Sequence, residues 1–427
     1  MKRILFSAQG FGFGPTAKAA VVATWLQKYK SDIVMDFIGS GSAYELARSR
    51  KSIFTNIYNG KQLATIREKI KNKYYDAVIS VMAPQITLIA HVFHIPVFLI
   101  DSLYWFWDWR PDRIDFLSAL KIQTLEDISA IFQQIHPHEQ QFLAHRYASI
   151  SYLQACFDEE KSSRNINHIK RKKIIAPIVD TSFISKKERN NDNTVVLSFC
   201  GQFNPIVDSG EVLDYCKLVL AVTRDAFIDL LKKTNNRLLI IGHPYVIENL
   251  PQIIKSLQFP DVDCEHLCYQ DYYKTINSAA AIIAPPSLTT FYESCAYNKS
   301  LILLPEQHDG HWPNFKTITR YERKENTIFP GKMLTPMITD LNGMKENDIK
   351  SLYKKIRSIN ENQNNSLFIQ LKNAYTQIIN DISNASYRQT LMKKQKLYFE
   401  HYFSLPSTKA EEIILDIKEY LNESIRN

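Results

Sequence analysis

Short apolar runs alternate with longer amphipathic stretches along this chain, and the alternation occurs twice. Lys2–Ala8 forms an apolar strand. The turn Gln9-Gly10-Phe11-Gly12-Phe13-Gly14-Pro15-Thr16 follows it, and then an Ala- and Val-rich helix over Ala17–Gln27. Ile33–Gly39 has the pattern of the next strand, ended by Gly39-Ser40-Gly41-Ser42, and Tyr44–Arg50 that of a helix. Asp76–Met82 is a β-branched strand, Gln85–Phe93 a helix and Ile95–Ile100 a further strand. Strands that alternate with helices at this spacing predict a parallel sheet wrapped by helices.

The polar stretch 185–193, SKKERNNDN, has the composition of a linker, and the same rhythm restarts beyond it. Thr194–Phe199 is a strand followed by Gly201-Gln202-Phe203-Asn204-Pro205, and Val212–Lys233 is a helix. Arg237–Ile241 is a strand ending at Gly242-His243-Pro244, and Asp271–Asn277 is a helix with Asp271 as its expected N-cap. Ala280–Ala284, Leu288–Ala296 and Leu301–Leu304 read strand, helix, strand, and from Asn342 onward the pattern is helical and polar. The expected fold class is therefore α/β, with two Rossmann-like parallel-sheet domains facing each other across a cleft and helices at the C-terminal end. The first domain is expected over 1–185 and the second over 190–385. Residues 386–427 would form terminal helices able to pack back on the first domain. In open parallel sheets, ligands sit beyond the carboxyl ends of the strands, so the loops after strands are the places to examine.

Composition narrows the functional classes. Of 427 residues, 45% are hydrophobic and 22% charged, an ordinary globular balance that supports a sizeable core in each half. The formal net charge of +8 favours anionic partners such as phosphates, nucleotides or acidic lipid heads. Apart from Lys170-Arg171-Lys172-Lys173, expected to be a solvated linker face, the basic residues are dispersed and no nucleic-acid module accompanies them, so nucleic acid is not expected as a partner. No signal peptide and no apolar run long enough to cross a membrane is recognisable, and the expected location is cytoplasmic, with peripheral membrane contact left open. Six cysteines then read as reduced thiols. Cys264, His266 and Cys268 have a spacing a metal could use, but no second pair follows, and no metal site or bound cofactor is expected. Asp261-Val262-Asp263 is expected to be a solvated loop pair.

Three loops carry candidate chemistry. Gly10, Gly12 and Gly14 alternate between the first strand and its helix, where glycine permits a tight turn and a close approach to a ligand. The spacing is neither the dinucleotide fingerprint nor a P-loop. Ligand binding and simple close packing both account for it. Asp101-Ser102-Leu103-Tyr104-Trp105-Phe106-Trp107-Asp108-Trp109 places three of the five tryptophans just beyond a strand. Tyr104, Trp105 and Trp107 offer faces for a sugar or base, and Asp101 and Asp108 are the nearby carboxylates able to accept a proton. A hydrophobic plug explains the same loop equally well. His91 and His94, beside the preceding strand, are expected to be packing histidines, and His136 and His138 surface ones.

The third loop is the most specific. The strand Ala280–Ala284 runs into Pro285-Pro286-Ser287-Leu288-Thr289-Thr290, which places hydroxyls and backbone donors at a helix start, a good phosphate site. Glu293 lies about one turn deeper, where a carboxylate can accept from ribose hydroxyls. Leu301-Ile302-Leu303-Leu304-Pro305-Glu306-Gln307-His308 follows, with Asn314 beyond it. His243 and Gly201 sit on the loops after two neighbouring strands.

At Asp271, Thr290, Glu293, Pro305, Gln307, His308 and Asn314 the sequence resembles nucleotide-sugar-dependent glycosyltransferases of the GT-B fold. It is most similar to the branch holding the lipid-intermediate N-acetylglucosaminyltransferase of peptidoglycan synthesis and related UDP-glycosyltransferases. The resemblance implies that the helix start with Ser287, Thr289 and Thr290 holds the donor diphosphate. It implies that Glu293 holds the ribose, that Gln307 and His308 reach the sugar, and that Tyr269 borders the base. Gly201 and His243 join this donor set, while Gly12 and Gly14 join the acceptor set. The family's first-domain loop often carries a histidine base where this chain has Pro15. Thr16, Asp101 and Asp108 are then the catalytic candidates. The run Asp101-Ser102-Leu103-Tyr104-Trp105 is also similar to one in transferases that attach a uronic sugar to cytosine. The implied activity is inverting, metal-independent transfer from a UDP-sugar to a small-molecule or lipid-linked acceptor. A sugar-nucleotide epimerase or a non-catalytic nucleotide sensor are the alternatives. This assignment requires the Ser287 turn to be open and Glu293 to point into the ligand crevice.

Overall fold

The computed structural model describes residues 1–10, 12–29, 32–155, 164–184, 193–199, 207–307, 311, 314, 347–403 and 409–423. The chain divides into two compact units, Met1–Ile178 with His401–Asn427, and Val179–Glu400. The expected pair of parallel α/β domains is what the structure contains.

The first unit holds strands β1 (Lys2–Ala8), β2 (Ile33–Gly39), β3 (Asn56–Asn59), β4 (Ala77–Val81), β5 (Val97–Asp101), β6 (Ile150–Gln154) and β7 (Lys172–Ile175). They form one parallel sheet in the order β3-β2-β1-β4-β5-β6-β7. Helices α1 (Gly14–Tyr29), α2 (Ser42–Arg48), α3 (Leu63–Lys71), α4 (Pro84–Val92), α5 (Pro111–Ala119), α6 (Leu125–Phe132) and α7 (Pro137–Tyr147) connect them. β4 and β5 are buried at every position, as a parallel sheet covered on both faces requires.

The second unit holds β8 (Thr194–Ser198), β9 (Arg237–Ile241), β10 (Asp263–Glu265), β11 (Ala281–Ala284) and β12 (Ser300–Leu303). These are parallel in the order β10-β9-β8-β11-β12. Its helices are α8 (Ser209–Lys233), α9 (Pro244–Ser256), α10 (Tyr269–Ser278), α11 (Leu288–Ala296), α12 (Asn347–Glu361), α13 (Ser366–Ser383) and most of α14 (Ala385–Phe403). On the edge strand β12, Gln395 of α14 accepts from the Leu301 N–H at 3.0 Å and donates to the Leu301 carbonyl at 2.7 Å. A side-chain amide thus stands in for the missing neighbouring strand.

A last helix, α15 (Glu412–Glu423), belongs to the first unit. Ile413, Ile414, Ile417 and Leu421 share a buried cluster with Ile4, Phe6, Phe98 and Tyr152. Asp416 accepts from Tyr152 Oη at 2.8 Å and from Lys173 Nζ at 2.6 Å. The run Lys170–Lys173 is thereby corrected, because Lys172 and Lys173 lie in β7 rather than in a linker. Lys172 Nζ donates to the carbonyls of Ile166 and Ile169 at 2.7 and 2.8 Å, so the polar pattern belongs to an edge strand. The N-cap of α10 is Cys268, and Asp271 sits one turn in. Of the expected linker, residues 185–192 lie outside the described residues.

Candidate functional site

In the second unit the strand order reverses between β8 and β11. The chain leaves β8 to build outward on one side and returns to place β11 and β12 on the other. The carboxyl ends of these two strands are where an open parallel sheet takes its ligands. Hydrogen bonds draw three connections together at that point. Gln307 Nε2 donates to the Phe199 carbonyl beyond β8 at 3.2 Å, and Asn314 Nδ2 donates to the Pro286 carbonyl beyond β11 at 3.0 Å. Tyr215 and Tyr353 hold the carbonyls of Pro305 and Gln307 at 2.6 and 2.9 Å. The Gln307 N–H donates to His311 Nδ1 at 3.3 Å.

The turn after β11 opens α11. Ser287 is the N-cap, in an extended conformation, and its side chain makes no capping bond. Pro285 and Pro286 have no N–H, and the Ser287 N–H donates back to the Pro285 carbonyl at 2.6 Å. The first-turn N–H groups of α11 have no acceptor within their own helix and carry the positive end of its dipole. Ser287 and Thr289 are half-buried and Thr290 is buried. At the other end, Asn298 takes φ 53°, a left-handed helix stop that asparagine tolerates.

Glu293 is 4% exposed, and both its oxygens are engaged. Oε2 accepts from Tyr272 Oη at 2.8 Å and Oε1 from Tyr273 Oη at 2.6 Å. The open carboxylate expected from the sequence is instead roofed by two phenols of α10. Tyr272 is half-buried and Tyr273 fully buried. Burial and the Glu293 charge push the Tyr273 hydroxyl well above the usual tyrosine range. The Tyr273 ring stacks on Phe183 at 5.7 Å and on Tyr297 at 5.6 Å. Tyr269 packs edge-on to it at 4.6 Å and donates to Asp180 Oδ2 at 2.9 Å. Sequence reasoning singled out Tyr269 but missed Tyr272, Tyr273 and Asp180. The i, i+3, i+4 spacing of the three tyrosines on one helix face was the available signal.

The loop after β12 holds buried polar atoms with no hydrogen-bond partner among the described residues: both oxygens of Glu306, Gln307 Oε1 and Asn314 Oδ1. Burial raises the Glu306 carboxyl to about 8, so it is mostly protonated at neutral pH. Glu306 was not selected from the sequence. His243 is half-buried at the carboxyl end of β9, where it caps α9 by accepting from the Tyr245 N–H at 3.2 Å. Gly201 and His308 lie outside the described residues.

The first unit has its own reversal, between β1 and β4, with the glycine loop at its edge. Gly12 takes φ 65°, and a Cβ on Gly10 would sit 2.7 Å from the Ser40 carbonyl oxygen. Ser42 Oγ lies 3.2 and 2.9 Å from the carbonyl oxygens of Gly10 and Gly12 and fastens the loop to α2. Gly14 opens α1, and Thr16 is fully buried with no hydrogen-bond partner for its hydroxyl among the described residues.

The aromatic loop turns inward. Tyr104, Trp105, Trp107 and Trp109 are all buried, and the expected ring faces for a ligand are packed against protein. The physical reason is that each indole N–H finds an internal acceptor. Trp105 donates to the Ser102 carbonyl at 3.2 Å, Trp107 to Asp101 Oδ2 at 2.6 Å and Trp109 to the His138 carbonyl at 2.9 Å. Asp101 has no exposed surface. It also accepts from the Leu103 N–H at 2.6 Å and lies 2.8 Å from His145 Nε2. Asp108, by contrast, is exposed.

No protein family and no curated protein matches this chain. Among solved structures it is similar to LpCGTa in complex with UDP, at 11% identity and a TM-score of 0.47, over 88% of this chain and 99% of that one. It is also similar to UDP-GlcNAc 2-epimerase from Methanocaldococcus jannaschii, at 13% identity and a TM-score of 0.48, over 84% and 93% of the two chains. A third is Anabaena Alr3699/HepE in complex with UDP and glucose, at 14% identity and a TM-score of 0.43, over 99% and 100%.

Proposed function

We propose that the second unit holds the diphosphate and ribose of a UDP-sugar, and that the chain is a glycosyltransferase acting on a small-molecule or lipid-linked acceptor held by the first unit. The observation that carries this reading is the uncapped start of α11 at the reversal of strand order. A helix start there offers N–H donors and a positive dipole end to an anion. The unpartnered Gln307 Oε1, Asn314 Oδ1 and Glu306 carboxyl on the adjoining loop support it, since buried polar groups without partners are costly unless a ligand completes them.

In this reaction the acceptor nucleophile attacks the anomeric carbon. The bond from that carbon to the diphosphate oxygen breaks, its electron pair stays on the diphosphate, and a single displacement inverts the centre. The α11 donors stabilise the charge that builds on the leaving group. Glu293 keeps Tyr273, and its Oε2 takes a ribose hydroxyl at the half-buried Tyr272 side, because each carboxylate oxygen accepts more than one hydrogen bond. For the acceptor proton, Asp108 is the exposed carboxylate of the first-unit candidates, whereas Asp101 is occupied by internal donors.

The test is calorimetric titration with UDP, followed by incubation with UDP-sugars and analysis of the products. Glu293→Ala is expected to weaken UDP binding roughly a hundredfold, the loss of hydrogen bonds to a charged group. Unchanged affinity would reject the placement. UDP released with the sugar moved to an acceptor supports the transferase. An isomerised sugar makes the chain an epimerase, and binding without consumption makes it a nucleotide sensor.

A further inference from the structure

At the opposite end of the first sheet, away from the carboxyl ends of its strands, lies a cavity of about 620 Å³. Its walls come from the ends of α4 and α7 and from the residues that lead into β5, β6 and β7, with Pro96, Ser149 and Arg171 each immediately before a strand. That volume suits a small organic molecule. It belongs to neither strand-order reversal.

The lining carries one sign of charge. Arg146, Lys170 and Arg171 all face the cavity, the rings of His91, His94, His145 and His168 also line it, and no carboxylate does. Arg146, Lys170 and Arg171 are exposed, and none of the three makes an ion pair among the described residues. The two other lysines of the same basic run are committed, Lys172 to backbone carbonyls and Lys173 to Asp416, so only the first half of the run is left facing the space. Arg146 sits in the last turn of α7, where the dipole favours a cation, whereas burial and the neighbouring His94 lower the His91 pKa and favour its neutral ring. Cations gathered around a concave wall focus a positive potential that an anion relieves.

The cavity also has flat apolar walls. The Tyr147 ring lies 4.3 Å from that of His91, and its hydroxyl is fixed by donating to the Leu120 carbonyl at 2.9 Å. Tyr420 of α15 closes another side and is partly exposed. An inorganic phosphate would leave most of this volume empty.

We propose that this cavity binds a phosphate-bearing organic anion, with the phosphate held by Arg146, Lys170 and Arg171 and the remainder against Tyr147 and Tyr420. The phosphate can belong to a soluble metabolite or to a lipid headgroup. The site stands apart from the donor reading and survives its failure. The test is hydrogen exchange of the full chain with and without inorganic pyrophosphate. Exchange is expected to slow at residues 145–149 and 168–171, and Arg146→Gln combined with Arg171→Gln, both on the surface, is expected to raise the pyrophosphate concentration needed about tenfold or more. Co-sedimentation with phosphatidylglycerol vesicles but not phosphatidylcholine vesicles, lost in the same double variant and without any pyrophosphate effect, identifies a headgroup as the source. Slowing confined to residues 287–291, or binding of both probes unaltered by the double variant, overturns the proposal, as does binding of neither.

Discussion

The two units run their first five strands in the same order and reverse beside the first of them, yet what surrounds the two reversals differs. In the first unit most polar groups near the reversal are consumed internally, the buried Thr16 hydroxyl being the exception. Ser42 fastens the glycine loop, and Asp101 collects a backbone N–H, an indole and His145. In the second unit the helix start is uncapped, and the neighbouring loop holds Glu306, Gln307 Oε1 and Asn314 Oδ1 without partners among the described residues. One topology thus supplies two candidate places for a site, and the state of hydrogen-bond satisfaction distinguishes a mostly braced one from one with several unpaired polar atoms. Strand order gives the place of a site; unpaired polar atoms indicate whether it is built to receive something.

Three substitutions break or sharpen this contrast. The largest effect is expected for Asp101→Ala. It strands buried donors and His145, and should destabilise the first unit by about 4 kcal/mol in chemical denaturation while UDP affinity in the second unit stays unchanged. A loss of UDP affinity without unfolding would show that the first unit's polar cluster is not bracing alone. Next comes Glu306→Gln. The buried carboxyl titrates near 8 when folded and in the ordinary carboxylate range when unfolded. The folded state therefore holds the extra proton between those values, and stability falls as pH rises from about 4.5 to about 8, then levels off. The variant should fall below the parent at pH 4, since the amide brings unpaired atoms of its own, and exceed it by on the order of 2 kcal/mol at pH 9. Equal stability at both pH values would mean that Glu306 has a partner in solution. The smallest effect is for Ser42→Ala, about 1 kcal/mol off the thermal stability with no change in UDP binding, because it removes one hydroxyl that fastens a glycine loop.

Much of this was legible in the residues. The two-sheet plan followed from apolar runs, because buried parallel strands such as Ala77–Val81 are continuous and hydrophobic. The helix over Leu288–Ala296 fell where its pattern put it. The strands that escaped notice are Asn56–Asn59, Ile150–Gln154, Lys172–Ile175 and Asp263–Glu265. Three of these are edge strands, where the pattern turns polar, and Ile150–Gln154 lies next to one. At the sites, residue type gave the neighbourhood but not the orientation. The Tyr104–Trp109 loop looks the same on paper whether its rings face a ligand or a core, and only the indole partners decide. Glu293 was found as a carboxylate one turn into a helix. Its tyrosine roof comes from a different helix, and pairing across elements is invisible to spacing along one of them.

The helix over Glu412–Glu423 inserts four apolar side chains into a cluster begun by Ile4 and Phe6. On the ribosome, Ile4 and Phe6 emerge long before these partners. The amino-terminal sheet must wait, with that wall of its interior uncovered, while more than two hundred intervening residues are translated. Chaperone dependence during expression, and sensitivity of the amino-terminal unit to lesions near residue 414, follow from that delay.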